Sequence, residues 1–288
     1  MNKYYITCED SGGSHKMAYT QWGKEDNQNI LICVHGLTRN GRDFDFLAQA
    51  LEKDYCIICP DIVGRGESDW LTEAKDYNLI VYAQDILRLI KHLNATQVDW
   101  LGTSMGGLIG MAIASQAESP IRRLIINDVG AFIPEKAMQR IAGYLLKEKP
   151  DFPDLVAAEI YIRDTYKPFG NLTDEQWQHL TQYSVKTLPS GGYRLNYDPQ
   201  ISYPYQNIPI NSIKAQEFWP WWEKISCPIL LLYGQESDLL LPDTITQMKE
   251  INPQMSLVTL PYVGHAPALM SDEQIKVIEN WLAQTSGV

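Results

Sequence analysis

Basic residues are scarce in this chain. Its 24 Lys and Arg are outnumbered by 35 Asp and Glu, giving a net charge of −11 over 288 residues, and no Lys/Arg-rich run occurs. A phosphate-binding stripe is therefore missing, which speaks against nucleic acid as a partner. No apolar run approaches the ~20 residues of a membrane span. The opening eight residues, MNKYYITC, lack the apolar stretch of a signal peptide. Five cysteines cannot all pair within one chain. Cys56 and Cys59 have C-x-x-C spacing, but they lie in a buried-strand pattern, where residues three apart face opposite sides. The five histidines are scattered, none at H-x-x-x-H or H-E-x-x-H spacing, so neither a metal site nor a cofactor is expected. These absences leave a globular protein of the reducing cytoplasm acting on a small molecule, compatible with a homodimer.

What is present is alternation. Apolar runs at 29–36, 55–61, 97–102, 122–130, 227–234 and 255–261 read as strands buried on both faces. Helical periods fall between or after them at 44–51, 79–93, 108–116 and 273–282. Strand–helix alternation predicts an α/β fold with a mostly parallel, doubly wound sheet. The runs 4–7 and 17–22 look like an antiparallel pair at one edge. Between 131 and 217 the alternation fails, and helical fragments (136–147, 155–165, 174–183) precede a Tyr-rich stretch. This segment reads as a helical cap inserted into a core domain made of 1–130 and 218–288. Ligand sites in open α/β sheets lie beyond the strand carboxyl ends, where such a cap would sit.

The passage "DWLGTSMGGLIG" turns from strand to helix through three glycines in six residues, Gly102 to Gly107, with Ser104 at the corner. This fits the G-x-S-x-G corner of a serine nucleophile. Side chains beside the serine would collide where strand and helix meet, which accounts for the glycines. A serine hydroxyl needs a base, and the base needs an orienting acid. His265, in a loop between the last strand and the last helix, is the expected base. Asp238, in "YGQESD", is the expected acid; Asp128 in "IINDVG" is its rival and Asp243 a weaker third. The N–H groups of Leu37 and Met105 are the expected oxyanion donors. His35 and Gly36 belong to the substrate-facing loop, Gly36 because it permits close approach. Trp219, Trp222 and Tyr197 could line an apolar acyl pocket or equally form the packing of the cap.

In order and spacing, "VHGLTRNG", "PDIVGRGESD", "GTSMGG", "YGQESD" and "GHAP" resemble a cap-bearing α/β-hydrolase along nearly the whole chain. The resemblance implies the chain order Ser104…Asp238…His265 and an acyl-enzyme route. Serine at 104 differs from the aspartate nucleophile of epoxide hydrolases and haloalkane dehalogenases, and "HGLT" lacks the proline that epoxide hydrolases carry there. An esterase-like serine hydrolase acting on a small ester, lactone or thioester is the expected function. Two alternatives stay open. One is hydrolysis of a carbon–carbon bond in a diketone ring-cleavage product, which needs cap cations such as Arg163, Lys167 and Arg194. The other is a slow-turnover ligand receptor that retains the triad.

Overall fold

In the computed structural model, which describes residues 1–285, the opening runs pair as an antiparallel hairpin. They form β1 (Asn2–Asp10) and β2 (Gly13–Trp22), in register from Asn2 opposite Gln21 to Asp10 opposite Gly13. The buried runs follow as β3 (Ile30–Val34), β4 (Cys56–Pro60), β5 (Val98–Thr103) and β6 (Ile121–Asn127). Four short strands come next: β7 (Phe132–Ile133), β8 (Val185–Thr187), β9 (Tyr193–Leu195) and β10 (Gln216–Glu217). The chain then rejoins the main sheet as β11 (Ile229–Gly234) and β12 (Ser256–Leu260). The eight-stranded sheet runs β1-β2-β4-β3-β5-β6-β11-β12, parallel throughout except for the β1–β2 and β2–β4 pairings.

The helices are α1 (Asp45–Leu51), α2 (Leu79–His92), α3 (Met105–Ala114), α4 (Glu135–Leu146), α5 (Leu155–Thr165), α6 (Asp174–Ser184), α7 (Trp219–Trp222), α8 (Pro242–Ile251) and α9 (Asp272–Gln284). Two apolar cores result, because successive strand side chains face opposite ways. Leu31, Cys33, Ile57 and Cys59 join Leu47 of α1 and Ile278 of α9 on one face. Ile32, Val34, Cys56 and Ile58 join Ile86 of α2, Ile109 of α3 and Met248 of α8 on the other. Cys56 and Cys59 therefore lie on opposite faces, and all five cysteines are free thiols. Among the described residues, no helix is long and apolar enough to cross a membrane.

Among the boundaries that differ from those the sequence pattern predicts, two have a plain local cause. Helix α3 begins at Met105 rather than Leu108, since its first turn is built from the glycines themselves. Strand β6 ends at Asn127, because Asp128 turns the chain with φ 57°. Between β6 and β11 the chain adds no strand to the main sheet. It forms α4, α5 and α6 with the small pairs β7–β10 and β8–β9. The β7–β10 pair and the Phe218 N–H, donating to Ala131 O at 2.7 Å, tie together the two ends of the segment between β6 and β11.

Candidate active site

The corner after β5 is a steric necessity. A methyl group on Gly102 would lie 2.2 Å from Gly106 carbonyl carbon, and one on Gly106 only 2.0 Å from Val34 O. Strand and helix touch through backbone alone, so no side chain fits at either position. Ser104 itself has φ 53° and ψ −113°, a conformation that L-residues rarely adopt. It stands immediately before α3, where the helix dipole favours negative charge.

His265 lies in the loop after β12. Its Nε2 accepts from the Ser104 hydroxyl at 2.9 Å, and its Nδ1–H donates to Asp128 Oδ2 at 2.9 Å. The three side chains come from the ends of β5 and β6 and from a loop 137 residues after Asp128. Asp128 is fully buried and braced: Gly234 N–H donates to its Oδ1 at 2.9 Å, and its own N–H donates to Leu232 O. The carboxylate is thus fixed before it meets the imidazole.

Asp238 is not part of this chain of bonds, which corrects the sequence-based assignment. After β11, Ser237 Oγ accepts the N–H groups of Leu239 and Leu240 and folds the loop so that both leucines are buried. The same fold turns Asp238 outward, where it pairs with Arg140 of α4 at 2.5 and 2.9 Å. Asp243 is exposed in the first turn of α8.

The loop after β3 brings Gly36 against the serine, its Cβ position lying 3.8 Å from Ser104 Cβ. His35 is completely buried and faces no solvent, a second correction to its expected place at the substrate. Ile62 N–H donates to its Nε2 at 2.9 Å, and its Nδ1–H donates to Gly36 O at 2.7 Å. Burial pulls its pKa down to about 3, so the ring is neutral at any ordinary pH. The Gly36 carbonyl also accepts from Arg39 N–H at 3.1 Å. In a planar trans peptide the Leu37 N–H points opposite to that held carbonyl, so His35 and Arg39 together set its direction. Met105 is the first residue of α3, where an N–H has no acceptor inside the helix.

Arg65, from the "PDIVGRGESD" loop, ties these pieces together and was not singled out by the sequence pattern. Fully buried, it donates to Leu37 O and Val63 O, and contacts Met105 Sδ at 3.7 Å. In the same loop Asp61 accepts N–H groups from Gly41 and Glu67, joining the turns after β3 and β4. Burial outweighs those bonds and pushes its carboxyl up to about 6.

The aromatic expectations divide. Trp222 is fully buried, its Nε1–H donating to Met248 O at 3.0 Å, and belongs to the core rather than to a pocket. Trp219 is half-buried against the same core, in the short α7 that packs on α3. Tyr197 is buried and bridges to the Arg65 backbone. Tyr144 and Tyr166, which no spacing in the sequence marked out, stand with Thr38 beside it. Of the three cations expected of a cap, Arg163 is held by Glu159 and Asp174, and Arg194 by Asp151, while Lys167 is exposed.

Folding also assembles a group that the scattered histidines did not foretell. Cys8, His15 and Asp85 converge, buried, with donor atoms within 4.8 Å of one another. The imidazole already faces two carboxylates, Asp10 and Asp85. Burial, reinforced by Asp85, pushes the Cys8 thiol up to about 12, so it remains protonated. An ion pair at the sheet edge accounts for the group. Two surface hollows, of about 420 and 630 Å³, lie beside Arg194 and along α2, α3 and α7. Neither touches Ser104 or His265, so the side-chain geometry locates the chemistry and the size of a hollow does not.

A parallel sheet with a serine at a glycine-walled strand–helix corner, bonded to an imidazole and through it to a buried carboxylate, defines a hydrolase architecture. Residues 29–270 match the α/β hydrolase fold family, and the chain belongs to that family. It is an enzyme of the hydrolase class. It is 40% identical to a 3-hydroxybutyrate-oligomer hydrolase of Cupriavidus necator, over 95% of this chain and 94% of that one. Its fold matches a solved structure of a hydrolase candidate from Rickettsia typhi with a TM-score of 0.93 at 38% identity, covering 99% of this chain and 100% of the other. An α/β hydrolase from Novosphingobium aromaticivorans superposes with a TM-score of 0.86 at 28% identity, over 98% and 99% of the two chains.

Proposed function

We propose that the protein is a serine hydrolase that cleaves the ester bonds of short 3-hydroxyacyl oligomers, with Ser104 as nucleophile, His265 as general base and acid, and Asp128 as the orienting acid. The single observation that carries this reading is the pair of 2.9 Å bonds that place His265 between Ser104 and Asp128. The similarity to a 3-hydroxybutyrate-oligomer hydrolase over almost the full length supports the substrate class.

The chemistry follows from the bonds. His265 Nε2 takes the Ser104 proton as Oγ attacks the ester carbonyl. Asp128 holds the Nδ1–H, which keeps Nε2 free to accept and stabilises the imidazolium that forms. Negative charge develops on the former carbonyl oxygen, within reach of the Leu37 and Met105 N–H groups. When the tetrahedral adduct collapses, His265 returns its proton to the departing alcohol oxygen and an acyl-enzyme remains. Water then attacks with the same base, and the carboxylic acid leaves Ser104 restored. The insertion 131–217 acts as the cap that shapes the acyl site, since Tyr144, Tyr166 and Tyr197 all come from it. With Arg163 and Arg194 neutralised by carboxylates, Lys167 is left of the three cations to hold an acid substrate of the diketone type, which favours the ester reading.

Incubation with the dimer and trimer of 3-hydroxybutyrate should release monomer continuously, well beyond one equivalent per enzyme. The Ser104→Ala variant should release none above background, and a fluorophosphonate should label Ser104 alone. Release stopping at one equivalent, or persisting in Ser104→Ala, would overturn the assignment.

A further inference from the structure

Thr38 lies two residues past Gly36, on the loop that presses against Ser104. Its hydroxyl stands 3.2 Å from the Tyr166 hydroxyl and 3.4 Å from that of Tyr144, both long for O–H···O bonds. Tyr197 is 6% exposed, and its hydroxyl has no hydrogen-bond partner. Tyr144 lies beside it without meeting hydrogen-bond geometry. Burial drives the ionisation of Tyr144 and Tyr197 upward; the Tyr166 phenol adds to both shifts and Tyr144 offsets part of that at Tyr197, so both remain O–H donors.

Contacts through Arg65 and Arg39 link this group to the loop after β3 and to the start of α3. Tyr197 bridges to the backbone of Arg65, whose guanidinium donates to Leu37 O and contacts Met105 Sδ, the two residues expected to supply the oxyanion donors. On the opposite flank the Arg39 guanidinium stacks 4.6 Å from the Tyr166 ring centre and is itself fixed by Asp43 and Ser184. An orphaned buried hydroxyl is costly to leave unmet. A purely alkyl acyl chain would leave the cost in place, whereas a chain bearing an oxygen would relieve it.

We propose that Thr38, Tyr144, Tyr166 and Tyr197 form a subsite for an acyl chain that carries an oxygen at C3, and that Tyr197 donates the hydrogen bond that reads this oxygen. The inference rests on Ser104 being the nucleophile, and it adds the basis of selection. A phenolic O–H can donate to a free C3 hydroxyl and, more weakly, to an esterified C3 oxygen, whose lone pair is partly delocalised into the adjoining carbonyl. The subsite therefore serves an end unit and an internal unit of an oligomer. Discrimination comes from the unmet donor when the oxygen is missing.

The test compares kcat/KM for p-nitrophenyl 3-hydroxybutyrate with that for p-nitrophenyl butyrate. Wild type should favour the hydroxylated ester by about tenfold, the size of one good neutral hydrogen bond. In Tyr197→Phe the loss on the hydroxylated ester should exceed the loss on butyrate by about the same factor, bringing the ratio towards one. Fluorophosphonate labelling of Ser104 in the variant confirms that it folds, and Tyr144→Phe should move the ratio in the same direction. A wild-type ratio near one, or a ratio unmoved in both variants, overturns the subsite while leaving the serine hydrolase intact. Hydrolysis of neither ester by wild type removes the serine-hydrolase reading and the subsite with it.

Discussion

Two aspartates competed for one histidine, and backbone bonds decided between them. Asp128 and Asp238 each follow a buried strand. Asp128 is the one braced by Gly234 N–H and presented to His265, while Asp238 is half exposed and shares its charge with Arg140. Surface pairs of that kind are worth only ~0–1 kcal/mol. Asp128→Asn should lower kcat by about 10⁴, since the amide would favour the wrong imidazole tautomer. Asp238→Asn should stay within about threefold of wild type, losing only that surface pair. Steady-state kinetics on one ester decides it, and the reverse pattern would restore Asp238.

The turn after β3 works as a unit, and its working part is a peptide plane rather than a side chain. His35 gives one nitrogen to Ile62 N–H and one to Gly36 O, so the plane that carries the Leu37 N–H cannot swing. His35→Gln can keep at most part of this bracing, because an amide cannot span both bonds with imidazole geometry. An oxyanion donor acts mainly on the transition state. The variant should therefore lose about 10- to 10³-fold in kcat with KM changed far less. A large rise in KM with kcat preserved would show that the loop serves substrate binding instead.

Across the whole molecule, stability carries a pH signature from a place remote from the chemistry. His15 of β2 faces Asp10 of β1 and Asp85 of α2, with Cys8 and Arg88 alongside. Burial pulls its pKa down and Arg88 adds to that, but the Asp85 hydrogen bond and the charges of Asp85 and Asp10 prevail, so the net shift is upward. Below the unfolded value of about 6.5 the imidazolium is charged in both states and its ion pair contributes fully. As pH rises the unfolded chain releases its proton first, and the contribution is withdrawn as pH passes the raised folded value. The melting-temperature gap between wild type and Asp85→Asn, followed from about pH 5 to about pH 9, should be widest at the acid end and shrink upward. A gap that is flat or grows with pH would contradict the ion-pair account.

Local rules made most of the fold readable from the amino-acid order. Short apolar runs foretell strands, the 3.6-residue period of α2 foretells a helix, and the glycines around Ser104 foretell a close strand–helix crossing. His265 was legible for a similar reason, as a histidine in the loop between a last strand and a last helix. What the order of residues could not supply was which carboxylate, ring or guanidinium ends up beside which. Asp128 meets His265 across 137 residues, Arg65 reaches Met105, and Tyr144 and Tyr166 close on Thr38 across more than a hundred. Those pairings depend on strand order and on the path of the chain between β6 and β11. Trp222 likewise looks the same in sequence whether it lines a pocket or fills a core, and only its burial against Met248 settles the matter. Chain-local sterics and periodicity were written in the sequence, whereas the convergence of distant polar groups was decided by tertiary structure, because contact across long separations carries no local signal.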